Sequence, residues 1–145
     1  QQERKNMSKS AIVYWSGTGN TEALADKIFE SAKESGKDVQ LFGASEFSGD
    51  KVDEFDSIAF GCPSMGCEQL EDTEFEPMFE SCKPKLGGKN IALFGSYGWG
   101  GGEWMNTWED ECKSLGANLI FDSIICNDAP DDEALEKCEE LGKAL

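Results

Sequence analysis

Histidine is absent from the 145-residue chain, which removes Ser-His-Asp and Cys-His catalysis and the usual zinc ligand sets together. Positive charge is scarce: Lys+Arg 13 stand against Asp+Glu 29, a formal net charge of -16. Such a chain repels the phosphates of nucleic acid and the anionic face of a membrane, so neither is an expected partner. A protein partner should instead present a basic patch. No apolar run approaches the roughly 20 residues needed to span a bilayer, and the N-terminus lacks a charged, apolar and small-residue signal series. A soluble cytoplasmic protein is the expectation. There is also no Cys-x-x-Cys pair. The six cysteines (Cys62, Cys67, Cys82, Cys112, Cys126, Cys138) are scattered, several on apolar positions of predicted elements, which reads as small buried or half-buried thiols.

What is present is a hydrophobic fraction of 39%, enough for one domain with a single core. Residues 1–6 are polar and precede Met7; they read as a tag remnant or a disordered extension, leaving 7–145 as the domain. Short apolar runs at 11–15, 39–42, 57–61, 91–95 and 119–126 alternate with amphipathic segments, as parallel strands joined by helices do. Leu24, Ala25, Ile28 and Ala32 stripe a helix over 20–35. Trp104, Trp108, Cys112 and Leu115 stripe a later one, and Leu135, Cys138, Leu141 and Leu145 a last one whose cap falls at Asp131 or Asp132. A short helix is expected between 43 and 55. No repeat or low-complexity linker interrupts the series. Right-handed crossovers then favour an α/β, doubly wound, three-layer sandwich around a five-stranded parallel sheet in the order 2-1-3-4-5. Ligands bind such sheets at the carboxyl ends of the strands, beside the switch point between strands 1 and 3.

Three loops leave those ends. The first, Ser16-Gly17-Thr18-Gly19-Asn20-Thr21, runs from strand into helix with hydroxyls, an amide and flexible backbone. Glycines let successive N–H groups turn inward and the helix N-terminus adds partial positive charge, so a phosphate can be held without a cation. A Walker A loop needs a Lys, and none occurs before Lys27 within this unit; a dinucleotide fingerprint needs a third glycine where Glu22 stands. The loop suits gripping a phosphate rather than transferring one. Seen alone, a Gly-rich turn with no ligand reads the same way. The second loop, Cys62-Pro63-Ser64-Met65-Gly66-Cys67-Glu68, leads into an acidic run at Glu71, Asp72, Glu74 and Glu76. The third, Ser96-Tyr97-Gly98-Trp99-Gly100-Gly101-Gly102-Glu103, sets an indole among glycines, with little to pack against locally. Trp99 there reads as a platform for a planar ring, or else as a cover for the sheet end.

Three blocks, Tyr14-Trp15-Ser16-Gly17-Thr18-Gly19-Asn20-Thr21-Glu22, Gly61-Cys62-Pro63-Ser64-Met65-Gly66 and Leu93-Phe94-Gly95-Ser96-Tyr97-Gly98-Trp99-Gly100, give the chain from Met7 to Leu145 a resemblance to the short-chain flavodoxins of anaerobic bacteria. The resemblance implies a flavodoxin-like fold and one non-covalently bound flavin mononucleotide (FMN). It implies a low-potential single-electron carrier, cycling between neutral semiquinone and hydroquinone. Ser16, Thr18, Asn20 and Thr21, with Gly17 and Gly19, would hold the phosphate. Met65 and Trp99 would flank the isoalloxazine within a pocket completed by Pro63, Ser64, Ser96, Tyr97 and Gly98. Glu68 would accept a hydrogen bond from flavin N3, and Asn127 would touch the ribityl chain. The Gly66-Cys67 peptide would be the redox switch, flipping so that the Gly66 carbonyl accepts the new N5 proton. The thiol of Cys67 is either inert or tunes that flip through its size, and negative surroundings hold it protonated.

The acidic surface agrees with a low potential. One carboxylate about 10 Å away in water opposes an anionic product by roughly 0.4 kcal/mol, on the order of 15 to 20 mV for one electron. The rival reading is an FMN-dependent quinone or nitro reductase of the same fold. That would need a second substrate pocket, built by long insertions or dimerisation, and the chain shows no long insertion. A phospho-acceptor module would need acidic residues where Ser16 and Gly17 stand. By resemblance, partners of a monomeric carrier would include flavodoxin reductase and low-potential ferredoxin-type oxidoreductases, docked transiently through the acidic 71–76 edge.

Overall fold

The computed structural model describes residues 9–17, 19–65, 69–98, 100 and 102–145. The extension expected at 1–6 lies outside them. The elements in chain order are β1 (Lys9–Tyr14), α1 (Asn20–Glu34), β2 (Asp38–Gly43), β3 (Ser57–Gly61), α2 (Phe75–Cys82), β4 (Asn90–Tyr97), α3 (Glu103–Ser114), β5 (Asn118–Leu119), β6 (Ile124–Asn127) and α4 (Asp132–Ala144). The strands pair in parallel in the order β2-β1-β3-β4-β5, with β6 also on β4.

Strand alternation sorts the core into two layers. Ala11, Val13, Ile58, Phe60, Ile91 and Leu93 point to one face, where α2 and α3 cover them with Phe75, Phe79, Trp104 and Trp108. Ile12, Ala59, Ala92 and Phe94 point to the other, under α1 and α4. The first layer is filled by rings: Phe60 meets Phe79 edge-on at 5.1 Å, and Trp108 meets Phe75 edge-on at 5.5 Å. Such pairs add about 0.5–1.5 kcal/mol beyond burial. The second layer is thin because Ala59 and Ala92 form its floor, so its helices lie close to the sheet and to each other. Asp131 caps α4, accepting the Ala134 N–H at 2.8 Å, worth about 1 kcal/mol.

Two expectations change. The fifth strand, expected unbroken over 119–126, is divided into β5 and β6. Leu119 pairs with Ile91 and Ile124 with Phe94, so five steps of this chain run beside three of β4. The surplus bulges outward between them, and Ile120 and Phe121, although consecutive, both pack against the α1/α4 layer. A regular strand would send one of them to the opposite face. The short helix expected between 43 and 55 is a pair of 3-10 turns, Ala44–Glu46 and Gly49–Glu54. Their buried residues Ala44, Phe47, Val52 and Phe55 extend the ring-filled layer under β2.

At Gly142, α4 comes close against α1. A Cβ there would lie 2.7 Å from the Ile28 carbonyl oxygen and 2.8 Å from the Ala32 nitrogen, both backbone atoms. Alanine within a helix ordinarily gains about 1 kcal/mol over glycine. Gly142→Ala should nevertheless lower stability by about 1–3 kcal/mol through overpacking, read as a lower urea midpoint at unchanged slope; a higher midpoint would refute this account of the contact.

Candidate functional site

A cavity of about 240 Å³ opens at the carboxyl ends of β1, β3 and β4. Trp15, Ser16, Gly17, Asn20 and Thr21 line it from the first loop, Pro63, Ser64 and Met65 from the second, and Ser96, Tyr97 and Gly98 from the third, with Asp128 after β6. It lies at the switch point of the strand order: β1 leads through α1 to β2 on one side, and β3 leads through α2 to β4 on the other.

The first loop is shaped by its own hydroxyl. Ser16 Oγ accepts the N–H groups of Gly19 at 3.1 Å and Glu22 at 3.2 Å, drawing the loop over the first turn of α1. Gly19, with φ of 99°, supplies the left-handed turn that starts the helix, a conformation costly for other residues. Thr21 is buried, its Oγ1 2.8 Å from Ser96 Oγ and accepting the Ser96 N–H at 3.3 Å. The second loop is tied down twice: the Ser64 N–H donates to the Ser96 carbonyl at 2.9 Å, and Met65 and Gln69 exchange backbone hydrogen bonds of 2.7 and 2.9 Å. Met65 is 37% exposed on the rim. In the third loop Tyr97 packs against Trp104, ring centroids 5.5 Å apart. The Asp128 N–H donates to the Tyr97 carbonyl at 2.7 Å, and Asp128 holds φ of 59°, which Asp tolerates better than most residues.

Among the described residues no Lys lines the cavity, and its charged neighbours are carboxylates. Glu74 accepts the Trp15 indole N–H at 3.0 Å and Glu22 the Tyr14 hydroxyl at 3.2 Å. Burial, and then Glu22, push the Tyr14 hydroxyl above its ordinary value. Glu71 departs from the expected acidic edge: it is buried, and its carboxylate accepts N–H groups of Thr73, Glu74 and Phe75 at the start of α2. Burial alone would raise its pKa, but the Thr73 hydroxyl and those backbone donors together hold it below the ordinary range. The five described cysteines are unpaired and buried. Desolvation raises their thiols, to about 11 for Cys82 and Cys126 and about 12 for Cys112 and Cys138, so they stay protonated and unreactive at neutral pH.

Of the site residues expected from sequence, Ser16, Gly17, Asn20, Thr21, Pro63, Ser64, Met65, Ser96, Tyr97 and Gly98 line the cavity, and Gly19 shapes its edge. Thr18, Gly66, Cys67, Glu68 and Trp99 lie outside the described residues. Asn127 does not line it; as the last residue of β6 it pairs with Tyr97 and is exposed, and the next residue, Asp128, reaches the cavity instead. Trp15 and Asp128 were missed. Position one residue beyond a strand end was the available signal for both.

Hydroxyl-bearing Ser16, Thr21 and Ser64 and the amide of Asn20 at the start of α1, with no cation among the described lining residues, suit a phosphate monoester, and the Met65 rim beside the Trp15 and Tyr97 walls suits a flat apolar ring. The geometry defines a mononucleotide-binding α/β domain. The flavodoxin family model matches residues 12–142. The flavodoxin of Megasphaera elsdenii is 48% identical over 133 residues, 92% of this chain and 95% of that one. That of Clostridium beijerinckii is 45% identical over 134 residues, 92% and 96%. The solution structure of two-electron reduced Megasphaera elsdenii flavodoxin superposes with a TM-score of 0.85 at 47% identity, covering 93% of this chain and 96% of that chain. The chain belongs to the flavodoxin family, and its function is that of a low-potential FMN electron carrier rather than an enzyme.

Two outcomes test the site's framework in the FMN-free protein. Thr21→Val strands the buried Ser96 N–H and hydroxyl and should cost about 1–3 kcal/mol in urea unfolding, with Thr21→Ser recovering most of it. Because the folded-state pKa of Glu71 is depressed, its contribution is present above the ordinary carboxylate value of 4.5 and is lost as pH falls through the lower folded value. The stability difference between wild type and Glu71→Gln should therefore narrow on acidification through that window; a gap constant with pH would contradict the assignment.

Proposed function

We propose that the domain over 7–145 binds FMN in this cavity, its phosphate on the loop of Ser16, Gly17, Thr18, Gly19, Asn20 and Thr21. The observation that carries the reading is a hydroxyl-lined, cation-free cradle at the switch point, opening onto an exposed methionine. Bound FMN supplies a ring able to take and give electrons singly. By resemblance Met65 and Trp99 would keep water from the two ring faces, and Pro63, Ser64, Ser96, Tyr97 and Gly98 would complete the pocket around it. Gly66, Cys67 and Glu68 meet its polar rim by resemblance. Trp15 and Asp128, which line the cavity, join this set, with Asp128 favoured over Asn127 beside the ribityl chain.

The connections leaving the carboxyl ends of β1, β3, β4 and β6, 15–19, 62–74, 98–102 and 128–131, contain Glu68, Glu71, Asp72, Glu74, Asp128 and Asp131 and no Lys or Arg. Those entering the amino ends of β2 and β4, 35–37 and 83–89, contain Lys37, Lys83, Lys85 and Lys89. This supports a redox partner with a basic patch, such as a flavodoxin reductase or a low-potential ferredoxin-type oxidoreductase, approaching the cavity end of a monomer. Among the described residues no helix is long and apolar enough to cross a membrane; a cytoplasmic setting, without nucleic acid or membrane partner, accompanies the reading. Because Glu71 is buried, the docking carboxylates of the acidic run are Asp72, Glu74 and Glu76.

An anaerobic reductive titration of the FMN-loaded protein, followed by visible absorbance and potential, tests the proposal. Two well-separated one-electron steps are expected. A single two-electron bleaching would favour the reductase reading, and failure to take up FMN would overturn both.

A further inference from the structure

Glu71 is 4% exposed, although it stands in the most acidic stretch of the chain. Its Oε1 accepts the N–H groups of Glu74 and Phe75 at 2.8 Å each, and its Oε2 accepts the Thr73 N–H at 2.9 Å and the Thr73 hydroxyl. Its own N–H donates to Cys62 Sγ at 3.4 Å, and its carbonyl accepts the Glu76 N–H at 2.9 Å. Side chain and backbone are therefore both fully engaged. A carboxylate so placed at a helix start gains from the dipole as well as from charge-assisted bonds.

The cavity gives this arrangement meaning beyond a helix cap. Two residues before Glu71, Gln69 closes the second loop onto Met65 through two backbone bonds. Three residues after it, Glu74 accepts the indole N–H of Trp15, whose ring lines the cavity. One buried carboxylate thus sits between two cavity walls: the stem of the Met65–Gln69 loop and the side chain of Trp15. Exposed acids nearby can act on a bound group only through their charge. Glu71 can also act through geometry, because removing an acceptor leaves N–H groups of the first turn of α2, the buried one of Phe75 among them, without partners just after the loop.

We propose that Glu71 is a positioning residue, clamping the stem of the Met65–Gln69 loop and the Trp15 support to the first turn of α2 and thereby setting how readily the first electron is accepted. The proposal rests on the reading that this loop borders the flavin. Charge and geometry separate cleanly. With one proton taken up alongside one electron, the first step leaves net charge unchanged, so a nearby acid influences it little by Coulomb interaction. Displacement of Met65, which lines the cavity, would act on it by contact.

The test compares Glu71→Gln with Asp72→Asn, an exposed neighbour of equal charge. In the FMN-loaded proteins, spectroelectrochemistry should give a tenfold smaller equilibrium constant for the first one-electron reduction in Glu71→Gln, about 59 mV, and no change in Asp72→Asn. In the FMN-free proteins, amide exchange at Met65 and Gln69 should speed up at least tenfold in Glu71→Gln alone. If Glu71→Gln does not fold, Thr73→Ala, which removes only the hydroxyl donor, should move both quantities the same way by about threefold. Lower thermal stability with both quantities unaltered would reduce Glu71 to a helix cap and overturn the proposal. A wild-type protein lacking separate one-electron steps would instead sink the functional reading, while the exchange rates would still decide whether the clamp exists.

Discussion

Ser96 is the point at which three loops become one site. Buried at the end of β4, it must find partners for its N–H, its carbonyl and its hydroxyl in the absence of water. Thr21 of the first loop serves the N–H and the hydroxyl, and the Ser64 N–H of the second serves the carbonyl. The third loop begins at the next residues. Each loop is therefore held by the desolvation cost of a polar group belonging to another, a stronger constraint than the loops' own glycine-rich sequences supply.

The two core layers serve that junction differently. On the ring-filled side, the Trp104 indole donates to the Cys62 carbonyl at 3.2 Å, and the same ring packs on Tyr97. The large aromatic layer thus reaches up and fixes the roots of the second and third loops. On the other side, the close fit of α1 against α4 at Gly142 fixes the helix whose first residues, Asn20 and Thr21, line the cavity. Rigid elements, not the loops, set the geometry, which lets the loops themselves carry small, polar and flexible residues.

The strand ends, the two layers and most cavity residues were legible in sequence because they follow from periodicity and from glycine at strand-to-helix turns. What was illegible depends on partners distant in sequence. The division of the fifth strand is decided by where β4 places its pairing groups and by Ile120 and Phe121 both preferring one layer. Glu71 reads as one more surface acid among Asp72, Glu74 and Glu76, since nothing local distinguishes a carboxylate that will meet the turn at Thr73 from those that will meet water. Asn127 and Asp128 differ by one residue, and only the left-handed backbone of Asp128 turns its side chain toward Gly98.

The distribution of charge then explains why a cation-free grip matters. A lysine in the first loop would hold a phosphate more strongly, but it would also place a positive charge beside the ring and ease formation of an anionic product, raising the potential. On the proposed reading, N–H groups, hydroxyls and a helix terminus would satisfy the phosphate with dipoles whose field falls off faster than that of a full charge. The carboxylates of the neighbouring connections are then left unopposed at that end of the sheet, while the lysines of the amino-end connections are engaged far below, as Lys85 is with Asp53 at 3.1 Å and Lys89 with the Phe55 carbonyl at 2.7 Å. On the proposed reading the carboxylates that oppose an anionic product are also those that would face a basic partner, so tuning and recognition would draw on one set of charges and could not be altered independently.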